Sequence, residues 1–335
     1  MKLSILTPTF NPRIEWLVKA VESVKAQTFT DYELVLVNDG SQKVTSEAIQ
    51  GAASVLGDKV RYHNLEANVG FNKAVNFALN EARGEYAMVL GDDDYLVDPT
   101  FLAEAITLLD SSATAQCLLG DYILRREDLD HEETIRHFPG REAFLQDGVD
   151  LFWEKFWLPI KPAIGWGSFL FRTATARQLG GFVAPVGDMR LVTGLLLAGQ
   201  LAYLPKVGSC YRYHQGNTSS RGNVDMLRES LLNVTRIAEE GFQKACAVRP
   251  LPEVEARRRH AIMVDKCRQH AASSLRYFRS LGRVTLAQAV ELYPLVFSAR
   301  TPGSVARSSA NFAALLLPPA WMRTLKAAVV GVRRK

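Results

Sequence analysis

Two rhythms of apolar residues organise the first hundred positions. Short apolar runs of strand length occupy residues 2–8, 32–37, 60–63 and 86–90. Between them, Leu17, Ala20, Val21 and Val24, and later Ala74, Val75, Phe77, Ala78 and Leu79, recur at helical spacing. The order strand, helix, strand, strand, helix, strand predicts an α/β domain, with a mostly parallel sheet flanked by helices. Three of the strands run into polar turns, at Thr9, at Asp39 and at Asp92-Asp93-Asp94. If the strands are parallel, these turns share one edge of the sheet, where open α/β sheets bind ligands.

The last of these turns organises the chemistry. Met88, Val89 and Leu90 read as the end of a buried strand, and three consecutive carboxylates follow Gly91. Carboxylates packed this closely repel one another. A hard divalent cation such as Mg²⁺ or Mn²⁺ relieves that repulsion, taking one or two carboxylates and leaving positions for substrate phosphates. Each polar residue also has a plain reading. The acidic triplet can be a solvated turn, Asp39 before Gly40 and Ser41 a helix cap, and Asn68 with Gly70 ordinary turn chemistry. Asn76 can sit on a helix face. Their placement at successive strand ends favours a common site.

These residues carry a resemblance. Thr7-Pro8-Thr9-Phe10-Asn11, residues 23–29, Val37-Asn38-Asp39-Gly40-Ser41, Asn68-Val69-Gly70 with Ala74 and Asn76, and Gly84-Glu85-Tyr86 leading to Asp92-Asp93-Asp94 resemble the family 2 glycosyltransferases in order and spacing. That family has the nucleotide-sugar-binding GT-A fold. The resemblance implies that Thr7, Thr9 and Asp39 hold the uracil and ribose of a donor, with Asn68, Gly70 and Asn76 in the same site. It implies that Asp92 and Asp93 hold the ribose and a metal bridging the diphosphate, with Asp94 under the donor sugar. Gly91 departs from the family, which often has another aspartate there.

Further along, residues 125–133 form a mixed charge run, expected to be a solvated helix or loop. Phe152, Trp153, Phe156 and Trp157 read as core, or as a platform for an acceptor sugar. The stretch 165–172 reads as a strand and resembles the family segment before the catalytic helix, which puts Trp166 and Arg172 on the acceptor side. Glycine at 187 stands where the family usually has glutamate, and Asp188 keeps the second acidic position. Asp188 has a physical case as general base. An acceptor hydroxyl must lose its proton as it attacks, and partial burial against Phe182 and Leu191 would raise an aspartate from its ordinary pKa of about 3.9. Its competing role is helix N-cap. His214 lies in a closing segment whose histidine sometimes reaches the metal or diphosphate in GT-A enzymes; it is otherwise a hydrogen-bonded structural residue.

Composition adds one asymmetry. The chain has 335 residues, 47% hydrophobic and 22% charged, as an ordinary globular protein would. Residues 223–335 hold 19 Lys/Arg against 8 Asp/Glu, whereas residues 1–222 carry a net −6. The division predicts a GT-A domain over 1–222, with nucleotide-sugar binding in 1–120 and the acceptor side and base in 121–222, followed by a basic helical region. In the rear region Leu227, Leu231, Val234, Ala238 and Phe242 form one apolar stripe, and Thr285 is placed to cap a later helix. Residues 300–335 hold seven basic residues and no acidic one, the pattern of a helix lying on an anionic membrane surface or of a basic-ended helix packed on the domain. Four scattered cysteines and a short, proline-broken apolar opening point to a reducing, cytoplasmic setting, with peripheral membrane association.

The expectation is therefore an inverting glycosyltransferase with a divalent cation. It would use a nucleotide-sugar donor, UDP-linked by the resemblance, and a saccharide or lipid-linked acceptor of surface-glycan type. Two rivals stand beside it: an inactive nucleotide-sugar-binding scaffold, suggested by Gly91 and Gly187, and a nucleic-acid binder, suggested by the basic rear. The second lacks any RRM, KH or zinc-finger signature.

Overall fold

The computed structural model describes residues 1–127, 129–155, 164–183, 187–214, 216–217, 224–280, 284–296 and 316. They fall in two compact units, Met1–Ser220 and Arg221–Lys335. The segment 300–335, apart from Leu316, lies outside the described residues, as do residues 156–163.

The first unit begins with β1 (Leu3–Thr9), α1 (Ile14–Lys25), β2 (Tyr32–Asn38), α2 (Ser46–Ala53), β3 (Val60–Asn64), α3 (Phe71–Glu81) and β4 (Tyr86–Val89). It continues with β5 (Tyr95–Leu96), α4 (Phe101–Asp110), β6 (Ala115–Arg126), β7 (His131–Ile135), β8 (Phe144–Asp147) and α5 (Gly148–Lys155). It closes with β9 (Phe169–Arg172), α6 (Thr173–Gln178), α7 (Gly187–Ala198) and β10 (Gln200–Tyr213). One sheet takes the strand order β3-β2-β1-β4-β9-β6-β10-β5, with β7 paired to β6 and β8 to β10. Pairing is parallel through β3, β2, β1 and β4 and again between β6 and β10; β9 is antiparallel to both its neighbours.

Every residue of β1, β2 and β4 is buried, which is why these strands read as continuous apolar runs and not as alternating ones. Alternation still decides the faces. Leu3, Ile5, Leu34, Leu36, Tyr86 and Met88 pack with Leu17, Val21 and Val24 of α1 and Leu102 and Leu109 of α4. Leu6, Val35, Val37, Ala87 and Val89 pack with Ala74, Val75 and Ala78 of α3 and Leu191, Val192 and Leu195 of α7. Truncating a fully buried leucine such as Leu17 would cost about 2–5 kcal/mol.

Two local expectations change. Within the charged run, Arg125 and Arg126 of β6 pair with Glu132 and His131 of β7 in antiparallel register, and Asp130, between the strands, has φ 44. Charges of the run pair with one another: Arg125 reaches Glu127 at 3.0 Å and Glu132 at 2.7 Å. Pairing of this kind is invisible to helical or apolar periodicity. The stretch 165–172 is not all strand either, since Trp166–Ser168 form a 3-10 turn before β9 starts at Phe169.

The second unit holds α8 (Val224–Val248), α9 (Glu253–Ser280) and α10 (Leu286–Val296). The apolar stripe of α8 is buried at all its positions. Leu227 and Leu231 pack against Ala271, Ala272 and Leu275 of α9 and Leu292 of α10. Thr285 and Gln288 cap α10 reciprocally: Gln288 N–H donates to Thr285 Oγ1 at 3.2 Å and Thr285 N–H to Gln288 Oε1 at 2.9 Å. No helix among the described residues is long and apolar enough to cross a membrane.

Candidate active site

Parallel pairing in register brings the three polar strand ends together. Thr9 pairs with Asn38, and Leu90 N–H donates to the Leu6 carbonyl at 3.0 Å, so residues 91–94 emerge beside the end of β1. Asp39 N–H donates to the Thr9 carbonyl at 2.8 Å. Thr9 Oγ1 donates to Asp92 Oδ2. Thr9, Asp39 and Asp92 are thus joined along one edge.

The three aspartates have different surroundings. Asp93 Oδ2 accepts from Asn217 Nδ2 at 3.1 Å and lies 2.9 Å from His214 Nε2. His214 Nδ1 accepts the Gly216 N–H at 3.0 Å, which assigns the proton of a neutral ring to Nε2, facing Asp93. Asp94 is buried, and its Oδ1 accepts the Arg212 N–H at 2.9 Å. Burial, reinforced by the Asp93 charge, pushes Asp92 up to about 7 and holds Asp94 well above the ordinary carboxylate range. Such crowding favours a cation. No three His, Cys, Asp or Glu side chains converge into a metal cage among the described residues. Carboxylate oxygens as a class suit hard cations, which take their remaining ligands from substrate oxygens and water.

Asp39 holds the neighbouring loop. Its Oδ1 accepts from Val69 N–H at 2.7 Å, and its Oδ2 from Gly70 N–H and Asn68 Nδ2, both at 3.0 Å. Asn68 and Gly70 are thereby fixed beside it, at the start of α3.

On the other side, the Trp166–Ser168 turn packs next to Leu90: a Cβ on Gly167 would lie 3.2 Å from Leu90 Cδ1. The Trp166 ring centroid is 5.0 Å from that of Phe182, which in turn meets Phe71 edge-on at 6.3 Å. Asp188 stands in the first turn of α7, its Oδ1 accepting the Met189 N–H at 2.8 Å. Its side chain is open to solvent, while the protein packed around it desolvates the carboxyl and raises its pKa.

Residues 4–168 match the family model described as Glycosyl transferase family 2. Over these residues, just under half of the chain, it is a glycosyl transferase family 2 domain. It is 35% identical over 97 residues to the Campylobacter jejuni GalNAc(5)-diNAcBac-PP-undecaprenol beta-1,3-glucosyltransferase, covering 29% of this chain and 31% of that one. The chain spans less than half the length of the curated relatives it matches. Among solved structures it is similar to S. aureus TarS 1-349 in complex with UDP, with a TM-score of 0.61 at 16% identity over 98% of this chain and 92% of that one. It is also similar to the mannosyltransferase PcManGT from Pyrobaculum calidifontis in complex with GDP-Man and Mn2+, with a TM-score of 0.52 at 17% identity over 96% and 87%. The fold is GT-A.

The two glycines that depart from the family pattern have local causes. A Cβ on Gly91 would lie 2.6 Å from Asp93 Oδ1, and one on Gly187 would lie 2.9 Å from the Phe182 carbonyl carbon. At Gly187 the obstacle is backbone, which closes the position to a side chain; at Gly91 it is the Asp93 carboxylate, which would have to turn away to admit one.

Three expected site residues lie elsewhere. Because β9 runs antiparallel to β4, its end lies at the start of β4, and Arg172 pairs with Tyr86 in register. Arg172 Nε donates to the Ala115 carbonyl and Nη1 to Glu85, both at 2.8 Å, on the sheet edge opposite the acidic turn. Its placement on the acceptor side is corrected. Asn76 uses both ends of its amide on Phe182: Nδ2 donates to the carbonyl at 3.0 Å and Oδ1 accepts the N–H at 2.8 Å. Thr7 lies one residue pair deeper than Thr9, is 1% exposed, and its hydroxyl makes no hydrogen bond to the protein.

Two site residues escaped the sequence reading. Trp16 stacks with the Arg212 guanidinium at 5.0 Å and meets the His214 ring at 4.8 Å. Asn217 bridges Asp93 and the Arg212 carbonyl. Trp16 gave a signal, being a large aromatic beside, and not within, the buried stripe of α1.

Proposed function

We propose that this protein is an inverting glycosyltransferase that moves a sugar from a UDP-sugar to a hydroxyl of a saccharide or lipid-linked saccharide. The observation that carries this reading is the joined edge of Thr9, Asp39 and Asp92–94 in a family 2 domain. Asp39 with the Asn68–Gly70 loop supports binding of the nucleoside, and the aspartates support binding of ribose, diphosphate and cation. Asp93 is the leading candidate ligand for Mn²⁺ or Mg²⁺, with His214 either beside it in the coordination shell or orienting it. When bound, the cation would act as a Lewis acid toward the diphosphate.

Asp188 acts on the acceptor. Its carboxylate takes the hydroxyl proton as that oxygen forms a bond to the anomeric carbon. The anomeric carbon–oxygen bond breaks in the same step, and its electron pair leaves with the nucleoside diphosphate. Attack from the opposite face inverts the centre in one displacement, without an enzyme nucleophile. Trp166 and Phe182 support an aromatic wall for the acceptor.

The undecaprenol-linked relative supports a lipid-linked acceptor. The excess of basic residues behind residue 223 supports attachment to an anionic membrane surface on the cytoplasmic side. Salt-sensitive binding of the protein to vesicles containing anionic lipid, and not to neutral ones, checks that attachment.

Titration calorimetry of UDP with Mn²⁺, with EDTA, and with the Asp93→Ala variant tests the donor site. Cation-dependent binding that the variant loses is expected. Silence toward UDP, GDP, CDP and dTDP alike would overturn the reading.

A further inference from the structure

α3 connects the proposed donor loop to the proposed catalytic base. Its start is fixed from the donor side, since Gly70 and Val69 donate to the Asp39 carboxylate. Its middle holds the turn before α7 through the two hydrogen bonds between the Asn76 amide and the Phe182 backbone. Its end is tied to α6, because Arg177 donates to the carbonyls of Leu79 at 3.0 and 2.8 Å, of Asn80 at 3.1 Å, and of Ala82. α6 leads directly into the same turn.

The turn has no slack on the Asn76 side. Gly181 adopts φ +65, and a Cβ there would lie 2.3 Å from Asn76 Oδ1 and 3.1 Å from Leu79 Cδ2. Nor has it slack on the α7 side, where Gly187 abuts the Phe182 carbonyl carbon closely enough to exclude a Cβ. The path from Asn76 to Asp188 is therefore one peptide unit, one backbone contact and one residue.

We infer that Asn76 is a positioning residue for Asp188: by clamping both backbone groups of Phe182 it fixes where α7 begins, and with it the carboxylate that takes the acceptor proton. The inference rests on the base reading of Asp188 proposed above. It assigns Asn76 to the acceptor chemistry and not to the donor, although α3 starts at the donor loop. Both hydrogen bonds of the Asn76 amide that the structure shows go to the Phe182 backbone.

The test uses the full chain carrying Asn76→Ala and, separately, Gly181→Ala, which disturbs the clamp from the opposite side. UDP affinity with Mn²⁺, hydrogen–deuterium exchange, and UDP release from UDP-GlcNAc, UDP-glucose and UDP-galactose are measured. Both variants are expected to bind UDP within about two-fold of the wild type and to keep the donor KM, while kcat falls about 10- to 100-fold, as misplaced catalytic groups do. Exchange should quicken at residues 180–182 and 187–190 and stay unchanged at 68–70. A loss of UDP affinity in step with kcat would overturn the inference and make Asn76 a donor ligand. Unchanged exchange at 187–190 would also overturn it, whether or not the three donors are turned over. Asp188→Asn in parallel separates the two ideas. If it retains wild-type turnover the base reading fails, and if it is inactive while both clamp variants are normal, only the clamp fails.

Discussion

His214 Nε2 lies 2.9 Å from Asp93 Oδ2, and the same oxygen accepts from Asn217. Asp93 is thus the best-supported member of the acidic turn, and its charge is the second cause, after burial, of the raised pKa values of Asp92 and Asp94. Asp93→Asn keeps an oxygen for His214 and Asn217 but removes that charge. The sign follows from proton binding. A carboxyl whose folded pKa lies above its unfolded value loses stability as pH rises from the ordinary carboxylate range toward the folded value, which is about 7 for Asp92. Removing the neighbouring charge lowers the folded pKa and recovers part of the loss. Metal-free Asp93→Asn should therefore be more stable than the wild type at neutral pH, by about 1 kcal/mol or roughly 3 °C in Tm, while losing Mn²⁺-dependent UDP binding. Thermal melts in EDTA at pH 5 and pH 7.5 check the first part; the gain should be larger at pH 7.5.

Asp188 must be ionised to accept a proton, and desolvation raises its pKa. The rate of transfer should rise with pH along a limb displaced above the ordinary aspartate value of about 3.9. Asp188→Asn should lower kcat by at least about 100-fold with UDP affinity unchanged. A pH–rate profile of the wild type with a single-turnover assay of the variant checks both; an acid limb at the ordinary value would remove desolvation from the account.

Gly187 and Gly91 invite restoration of the acids that relatives often carry. Packing argues that restoration harms this chain. Gly187→Glu would force the Phe182 backbone away from α7, an overpacking of about 1–3 kcal/mol, and would move Asp188. Gly91→Asp would instead displace the Asp93 carboxylate, the proposed cation ligand, and add a fourth negative charge beside it. Both variants should lose transfer activity. A gain in either, measured as UDP release, would show that relatives' acids fit here after all.

What the sequence revealed and what it hid follow from the same geometry. Thr9, Asp39 and Asp92–94 were legible as one site because β1, β2 and β4 are parallel, so turns at their ends necessarily share an edge. The α8 stripe and the Thr285 cap were legible because both are local patterns. Direction of insertion is not local. β9 reads as a strand from its residues, but only its pairing with β4 reveals that it runs backwards and carries Arg172 away from the site. Depth is equally hidden: Thr7 and Thr9 lie on the same face of one strand, and only the second reaches Asp92. The charges of the β6–β7 pair resembled a solvated run because pairing between strands has no signature in hydrophobic periodicity.

Arg172 provides the counter-test for the placement of the site. Its side chain ties three elements on the far edge: Nε to the Ala115 carbonyl at the start of β6, Nη1 to Glu85 before β4, and Nη2 to the Tyr86 hydroxyl at 3.3 Å. Glu85 in turn accepts from Lys2, which also reaches Asp110, so the residue belongs to a network that pins the amino ends of the strands. Arg172 is mostly shielded from solvent, and charged hydrogen bonds in such settings contribute more than exposed pairs do. Arg172→Ala should destabilise the fold by about 1–3 kcal/mol. Glu85, with its pKa held low chiefly by Lys2, keeps that partner and softens the loss. Donor and acceptor KM should not move at temperatures where the variant is folded. Urea unfolding gives the first quantity and steady-state kinetics the second. A selective rise in acceptor KM would return Arg172 to the acceptor side and contradict the antiparallel placement of β9.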